Sequence, residues 1–505
     1  MFFYIFIIRE WKMLATFIKK NTKVLFILLS IVFIIPSIIY LMKNGTVLGF
    51  KNYYNFFIDD GKNKILSTVV YLLIFLALSA IYLYFIKKKD SFKNIKQLLI
   101  YVAGVSIIFI AMIPWHSSDI FYYMGVGELN SVYGQNPYYE TIKEYGTKNP
   151  EVIEEDTIMK QGYINYWSNT TVVYGPIAQL VFSSITKISF KNLDFCMFLF
   201  KLLNIIVHIL NCYLIYKITK KLKFSIIYGL NPYILMEFFG MVHNDIIVVF
   251  LVLISLYFLL KKKQILPSVI FLALATGIKY FTILLLPIII LYHYKDEENI
   301  LKRILRCIQY GLIFIVIIML EYLIYFRDNT IFTAMMVQTD RYCKSFYAGL
   351  YSIALKNKKV VYNIFGKTYL IGEICKFTRN IMFAIFAIIY IKFCIDLLLS
   401  KEIKIQKTFR KYSFCILLFI MSLSNFQQWY LLWLFATLPW QEPNSIRDII
   451  GLSLASEIGN TIYMFKVESY KYDAHFVFII AIIFIIWKVC TNKRKFCIDI
   501  ERSKW

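Results

Sequence analysis

The 505-residue chain is poor in charged residues, and acidic residues are the scarcer kind. Charged side chains make up 17% of the sequence, with 31 Asp and Glu against 56 Lys and Arg, whereas 59% of the residues are hydrophobic. A soluble protein carries about 25% charged and 45–50% apolar residues, so this composition excludes a single water-exposed globule. It predicts instead an all-α, polytopic membrane helical bundle, because helices satisfy their own backbone hydrogen bonds inside a bilayer.

Other features are missing as well. The nine cysteines contain no C-x-x-C pair, which argues against both a disulfide framework and a zinc site. No long Gly/Ser/Pro-rich linker marks off a soluble domain, and no repeat of about 20–50 residues is visible. The apolar start of the chain, residues 1–8, is followed by Arg9, Glu10 and Lys12 and lacks a signal-peptide cleavage pattern. We expect an interfacial amphipathic segment there, with a short extra span as the alternative.

Long apolar runs alternate with short basic clusters. A span needs about 20 mostly apolar residues, and the clearest runs are 23–42, 65–86, 97–114, 195–216, 226–242, 246–260, 308–326, 380–400, 412–426 and 474–490. The basic clusters are 87–96, 217–223, 261–263, 302–306, 401–411 and 493–495. The positive-inside rule makes these clusters cytoplasmic, so the net charge of +25 reflects topology rather than a nucleic-acid partner. We expect about 11–13 spans or partial spans in a multi-pass protein of the cell membrane.

The longest polar stretch is residues 115–171, with eight acidic residues, three lysines and eleven aromatics. Parity of the crossings makes it an extracytoplasmic loop and makes 327–379 a second one. The run 172–188 is broken by Gly175-Pro176, so we expect partial insertion. If it crossed fully, the cluster at 217–223 would lie outside.

The apolar run 265–293 lies between two basic clusters and is interrupted at Gly277-Ile278-Lys279-Tyr280. The pattern predicts two short helices that meet at a polar tip carrying Lys279. A lysine at membrane depth costs about 2.5–3.5 kcal/mol, so it should face a cavity or an anionic partner. A snorkelling or structurally paired lysine is the alternative.

Polar groups gather at the expected outer ends of the spans. Asp119 follows the span 97–114, where low-dielectric surroundings would raise the pKa of a carboxylate and suit it to act as a base or ligand. The alternative is that Ser117, Ser118 and Asp119 only cap a helix. His243-Asn244-Asp245 separates two apolar runs, a costly position unless the residues are hydrated or functional. Helix capping is again the alternative.

Two further groups are candidates for substrate contacts. Gln428 and Trp429 belong to an aromatic segment that could bind sugar faces and hydroxyls or could form an interfacial belt. Arg341, with Lys344 after it, could hold a phosphate. Val173-Tyr174-Gly175-Pro176 marks the point where the chain re-enters the membrane.

The ordered set resembles a known family. The motifs are Ser118-Asp119 with Tyr122 or Tyr123, Gly127, Asn136-Pro137-Tyr138, Tyr174-Gly175-Pro176, His243-Asn244-Asp245, Ala273 to Lys279, and Gln428 to Trp433. Over roughly residues 97–440 it resembles bacterial GT-C integral-membrane glycosyltransferases, in particular the polyprenol-phosphate-mannose-dependent mannosyltransferase type. The resemblance implies a polyprenyl-phosphate sugar donor, an extracytoplasmic active site, and an essential first-loop carboxylate that maps to Asp119. Relatives commonly have Lys-Pro at the hairpin tip, where this chain has Lys279-Tyr280.

We therefore expect a GT-C-like membrane hexosyltransferase that passes a mannose-like sugar to an extracytoplasmic glycan or glycolipid acceptor. Residues 1–96 would form an N-terminal segment with two spans, 97–440 the catalytic module, and 441–505 a membrane segment with a basic cytoplasmic tail. Asp119 is the predicted catalytic residue. The predicted substrate-binding residues are His116, Ser118, Tyr122, Asn136, Tyr174, His243, Asn244, Asp245, Lys279, Arg341, Gln428 and Trp429.

No cofactor is demanded by the spacing of these residues, and no metal ligands are assigned. Mg²⁺ or Mn²⁺ bridging Asp119 or Asp245 to the donor phosphate stays open, since oxygen ligands suit both ions. A transporter or flippase of lipid-linked saccharides is the alternative from another class, although the chain lacks the repeated halves typical of transporters. A saccharide polymerase and a non-enzymatic scaffold are the others.

Overall fold

The structure is a computed structural model that describes residues 2–46, 64–88, 91–338, 341, 343–349, 361–364, 367–466 and 473–493. The described residues form a helical bundle with a single short hairpin, which confirms the all-α class predicted from composition. The end of the predicted basic tail, residues 494–505, and parts of the predicted loop 327–379 lie outside the described residues.

The first part of the bundle contains three helices that precede the long polar segment. They are α1 (Phe2–Asn44), α2 (Lys64–Lys87) and α3 (Ile95–Ile108), the last extended by a 3-10 turn, Phe109–Ala111. The backbone of Asn21 departs from helical geometry inside α1. The range of α1 thus contains two helical segments that meet at a kink at Asn21, and the long apolar stretch is Lys20–Asn44.

The polar segment 115–171 contains several short helices. They are α4 (Asp119–Ser131), α5 (Ile142–Lys148), α6 (Pro150–Glu155) and α7 (Thr157–Tyr163), followed by α8 (Pro176–Lys187). Thr141 and Glu144 form a capping box at the start of α5. The Asp156 carboxylate caps α7 by accepting from the backbone N–H groups of Ile158 and Met159. These caps satisfy backbone donors that would otherwise be orphaned, so the segment is structured along its length.

The remaining helices complete the bundle. They are α9 (Leu193–Thr219), α10 (Leu222–Gly229), α11 (Pro232–Leu235), α12 (Asp245–Tyr257), α13 (Ile265–Thr276), α14 (Leu286–His293), α15 (Ile300–Leu323), α16 (Thr333–Gln338), α17 (Ile371–Leu399), α18 (Ile405–Ser422), α19 (Pro443–Lys466) and α20 (Asp473–Lys493). Two π-helical turns, Met236–Gly240 and Phe258–Lys262, follow α11 and α12, and 3-10 helices occupy Tyr280–Leu285, Asn329–Phe332 and Gln428–Trp440. The antiparallel hairpin joins β1 (Val361–Ile364) to β2 (Lys367–Leu370).

Among the described residues, five helices are long and apolar enough to cross a membrane. They are Lys20–Asn44, Thr68–Lys87, Leu193–Thr219, Ile300–Leu323 and Glu373–Leu399. A bent pair, Pro232–Gly240 with Asp245–Lys262, could form a sixth span, and four shorter apolar helices accompany them. The protein is therefore a multi-pass membrane protein.

The two irregular segments predicted from the sequence are present. Helix α8 has 12 residues, which is about 18 Å and too short to span a bilayer. The run 265–293 divides into α13 and α14, with a break and a 3-10 turn between them.

These two segments touch through their backbones. The Gly277 carbonyl accepts hydrogen bonds from the N–H groups of Ile177 (2.9 Å) and Ala178 (3.2 Å). A Cβ atom on Gly175 would lie 2.4 Å from that same carbonyl oxygen. Only glycine permits so close an approach, so Gly175 and Gly277 join the end of the polar segment to the tip of the α13–α14 hairpin.

Candidate functional site

A cavity of about 480 Å³ lies where several elements meet. They include the start of α4, the segment 167–174, the tip of the α13–α14 hairpin, α17, the end of α18, and the 3-10 helix Gln428–Trp440. The charged residues in its wall are Asp119, Lys279 and Arg379. Aromatic rings provide much of the remaining wall: Tyr122, Trp167, Tyr174, Tyr280, Phe281, Phe383, Phe419, Trp429, Tyr430 and Trp433. A mostly apolar cleft with a few charged groups is typical of a ligand site.

Asp119 is the first residue of α4, and its side chain is 16% exposed. Its Oδ1 accepts a hydrogen bond from the indole N–H of Trp167 at 3.2 Å, and its Oδ2 lies 3.8 Å from Nδ1 of His243. Burial raises the pKa of Asp119 to about 6, against the lowering effects of Lys279, the Trp167 hydrogen bond and Lys344. A carboxylate with this pKa is mostly ionised at neutral pH and still binds a proton readily.

Lys279 lies in the break between α13 and the 3-10 turn, and its side chain is 15% exposed. The ammonium is 3.6 Å from Oδ2 of Asp245. It also stands 4.7 Å from the ring centre of Tyr174 and 5.5 Å from that of Tyr430. Both features expected of a lysine at this depth are present, because Lys279 faces a cavity and has an anionic partner.

The chain bends by 117° between Gly240 and Asp245. A π-helical turn precedes the bend, and Val242 has a φ of +65°, a left-handed conformation that a β-branched residue rarely adopts. Such strained positions persist where the surrounding structure over-determines them, often at functional sites. The bend directs the side chains of Glu237, His243 and Asp245 into one buried region.

His243 lies at the centre of this region. Its Nε2 is 3.3 Å from Oε2 of Glu237, and its ring stacks on Trp429 with centroids 3.6 Å apart. Asp245 is fixed on the other side by the indole N–H of Trp433, which donates to Oδ1 at 2.7 Å. The 3-10 helix Gln428–Trp440 therefore positions two members of the His-Asn-Asp motif, His243 and Asp245.

His116 is buried and does not line the cavity. Its Nε2 is 3.7 Å from Glu237 and 3.8 Å from Glu457, and its Nδ1 is 3.5 Å from the amide nitrogen of Gln428. Burial, with smaller effects from Lys344 and His243, holds the pKa of His116 well below its usual value. The imidazole is therefore neutral at physiological pH.

The predicted site residues fall into three groups. Asp119, Tyr122, Tyr174, Lys279 and Trp429 line the cavity. His116, His243, Asn244, Asp245 and Gln428 are buried behind its wall.

Arg341, Ser118 and Asn136 form the third group and do not line the cavity. Arg341 hydrogen-bonds to Thr170 Oγ1 at 3.1 Å and lies over the ring of Trp167. The Ser118 carbonyl accepts from Asn165, and the amide of Asn136 donates to the carbonyl of Tyr325 at 2.7 Å, so both groups hold loop segments together.

Sequence reasoning missed several residues of this region, among them Trp167, Glu237, Arg379 and Glu457. Trp167 was only one of eleven aromatics in its segment. Glu237 is a buried single carboxylate in an otherwise apolar stretch, Glu457 is a buried carboxylate in a helix with many polar residues, and Arg379 stands at the edge of an apolar run. An isolated charge in an apolar stretch is costly, and that cost was the signal that could have found Glu237.

Comparison with known proteins identifies the family. The sequence model described as alpha-(1->6)-mannopyranosyltransferase, N-terminal domain, of the MptA_B family matches residues 31–295. This range includes Asp119, His243, Asp245 and Lys279. No curated protein and no solved structure matches the chain significantly. The match covers more than half of the chain and confirms the resemblance drawn from the motifs. The protein thus belongs to the MptA_B family of alpha-(1->6)-mannopyranosyltransferases, which are membrane glycosyltransferases of the GT-C type.

Proposed function

We propose that the protein transfers a mannosyl residue from a polyprenyl-phosphate-linked donor to a hydroxyl group of a glycan or glycolipid at the extracytoplasmic face. The observation that carries this proposal is one cavity whose wall contains a carboxylate, Asp119, and two cations, Lys279 and Arg379. Sugar transfer from a phosphate needs both kinds of group, a base for the nucleophile and positive charge for the leaving group.

In the proposed reaction the acceptor hydroxyl oxygen attacks C1 of the sugar and its proton passes to Asp119. The bond between C1 and the phosphate oxygen breaks, and the phosphate leaves with the electron pair. Lys279 and Arg379 stabilise the charge that gathers on the phosphate. The pKa of Asp119, about 6, lies close to physiological pH, where a general base works best.

The aromatic wall supports a substrate that is part sugar and part hydrocarbon. The rings of Tyr430 and Trp433 stack with their centroids 4.6 Å apart, and Trp429 lies on the same 3-10 helix. Aromatic faces bury C–H surfaces of a sugar ring as well as isoprenoid chains. Phe383 and Phe419 extend this apolar surface.

The proposed face rests on the charge pattern of the sequence. The segment that contains Asp119 is acidic, whereas the basic clusters lie between the apolar runs, where the positive-inside rule makes them cytoplasmic. We also propose that residues 97–440 are the catalytic module, because every residue that lines the cavity belongs to this range.

Asp119→Asn tests the proposal. The purified variant and the wild type are incubated with a panel of labelled polyprenyl-phosphate sugars and an acceptor glycan, and the products are separated. We expect mannose transfer by the wild type and at least about a 1,000-fold loss in the variant, because the isosteric amide cannot accept the proton.

Glu140→Gln is the matched control, since Glu140 is another carboxylate of the same segment that does not line the cavity. Its Oε1 pairs with the ammonium of Lys148 at 2.9 Å. Full activity of Asp119→Asn would overturn the role of Asp119. Movement of the labelled lipid from one leaflet of a vesicle membrane to the other, without any new glycosidic bond, would overturn the transferase assignment.

A further inference from the structure

Three side chains from distant parts of the sequence converge outside the cavity. His116 precedes α4, Glu237 lies in the π-helical turn after α11, and Glu457 lies on α19. One ligand atom from each side chain lies within 4.8 Å of the other two. All three side chains are fully shielded from solvent.

The polar atoms of this cluster are unsatisfied. Within the described part of the chain, neither oxygen of Glu237 or Glu457, nor Nε2 of His116, makes a hydrogen bond of good geometry, although Nε2 of His243 approaches Oε2 of Glu237 to 3.3 Å. Each buried polar group without a partner costs about 1–3 kcal/mol, and more when it is charged. Two carboxylates that face each other add mutual repulsion, so the pair must either share a proton or bind a cation.

Two ammonium groups act on this region. The ammonium of Lys279 pairs with Asp245, while that of Lys344 donates to Asn460 at 3.0 Å and acts electrostatically on Glu457. When both are ionised, the carboxylates of Glu237 and Glu457 carry two negative charges, which one divalent cation would neutralise.

We propose that His116, Glu237 and Glu457 bind a divalent cation of the Mn²⁺ or Zn²⁺ class. Metal–ligand distances of about 2.1 Å place neighbouring ligand atoms about 3–4 Å apart, and the distances from His116 Nε2 to the two glutamates are 3.7 and 3.8 Å. An imidazole nitrogen beside two carboxylates favours these ions over Mg²⁺, which prefers oxygen ligands alone.

His243 would act from outside this ligand set. Its Nε2 lies 3.3 Å from Oε2 of Glu237, so it can orient that carboxylate, as outer ligands of metal sites commonly do. Its Nδ1 faces Asp119 at 3.8 Å. The ion would thus lie behind the cavity wall, connected to the candidate base through one imidazole. This inference goes beyond the proposed donor and acceptor and does not depend on them.

The test measures metal binding in the absence of any sugar. Full-length protein in detergent is stripped with EDTA and titrated with Mn²⁺, and the loss of the free-ion EPR signal gives the bound fraction. We expect one Mn²⁺ per chain, displaced by Zn²⁺. Substituting an outer-shell partner of a metal site typically lowers metal affinity about 10–100-fold. Glu457→Gln removes a direct ligand, so it should lower the affinity for Mn²⁺ by more than that.

Glu128→Gln is the matched control, since Glu128 is also a fully buried carboxylate with two unsatisfied oxygens, next to Asp156 in another part of the protein. It should bind Mn²⁺ like the wild type. If Glu457→Gln fails to fold, His116→Asn decides the question. Absence of stoichiometric binding by the wild type, or equal binding by wild type and ligand variants, would overturn the inference and favour two carboxylates that share protons.

Discussion

The hydrogen bond from Trp167 to Asp119 offers a direct test of how the candidate base is tuned. In Trp167→Phe the indole N–H that donates to Oδ1 at 3.2 Å is lost, while an aromatic ring remains. A hydrogen bond to a charged group contributes about 1.5–3 kcal/mol. This one is longer than the usual 2.7–2.9 Å of charge-assisted bonds, so we take the lower end, about 1.5 kcal/mol, which corresponds to about one pKa unit.

The sign follows from the state that the bond stabilises. Trp167 donates to the ionised carboxylate, so its removal favours the protonated form and raises the pKa of Asp119 from about 6 toward about 7. At pH 6 the ionised fraction falls from about one half to about one tenth, which lowers the rate about five-fold. At pH 8.5 both proteins have an ionised Asp119 and this difference disappears.

The assay is mannose transfer at subsaturating donor and acceptor, followed from pH 5 to pH 9, because this regime reports the pKa values of the free enzyme. The groups that face Asp119 are Lys279, His243, Lys344 and Asp245, and all remain in the variant. Tyr122→Phe is the control, because it removes a hydroxyl from the wall of the same cavity. This hydroxyl donates to the Thr170 carbonyl and not to Asp119. An unchanged or lowered midpoint in Trp167→Phe would refute the assignment of Asp119 as the titrating base.

Three further predictions concern other parts of the molecule. Lys279→Met should lower kcat/KM for the donor by about 100-fold or more, because one preorganised charge at a leaving group is worth that much. Lys279→Arg should retain part of the activity. Equal rates in the wild type and both variants would exclude a role for the charge. Gly175→Ala should destabilise the protein by about 1–3 kcal/mol or more, since the new Cβ meets the Gly277 carbonyl, whereas Gly104→Ala, with open space around it, should have no such effect in thermal unfolding. Burial and Asp156 raise the pKa of Glu128 to about 8, partly offset by Lys191, so its contribution to stability is present below about pH 4.5 and is lost as the pH rises through 8. Glu128→Gln should therefore flatten the fall in melting temperature between pH 6 and pH 9, and parallel curves for the two proteins would contradict the raised pKa.

Much of the fold follows from local sequence signals. Apolar runs without acidic residues predict membrane helices because burying a charge in lipid is so costly. The interruptions at Gly175-Pro176 and at Gly277 predict α8 and the α13–α14 break for equally local reasons. The joining of these two interruptions was not predictable, because it depends on two backbones packing together across about a hundred residues of chain.

The candidate site was predictable only in part. Asp119, His243, Asp245 and Lys279 stand out because polar groups at the ends of apolar runs need a reason to be there. Glu237 and Glu457 were hidden as single acidic residues inside segments dominated by other signals. Their meaning arises from tertiary contacts, since the two carboxylates meet only when α19 packs beside the bend after α11.

The contact between Gly175 and Gly277 also holds one part of the cavity wall in place. The start of α8, which follows the polar segment, is held to the tip that carries Lys279 by backbone hydrogen bonds. Another part of the cavity wall is α17, whose apolar stretch is only 17% buried and which contributes Arg379 and Phe383. A lipid-linked substrate that reaches the cavity from the bilayer would therefore pass beside α17, and its polar group would bind near the tip that carries Lys279.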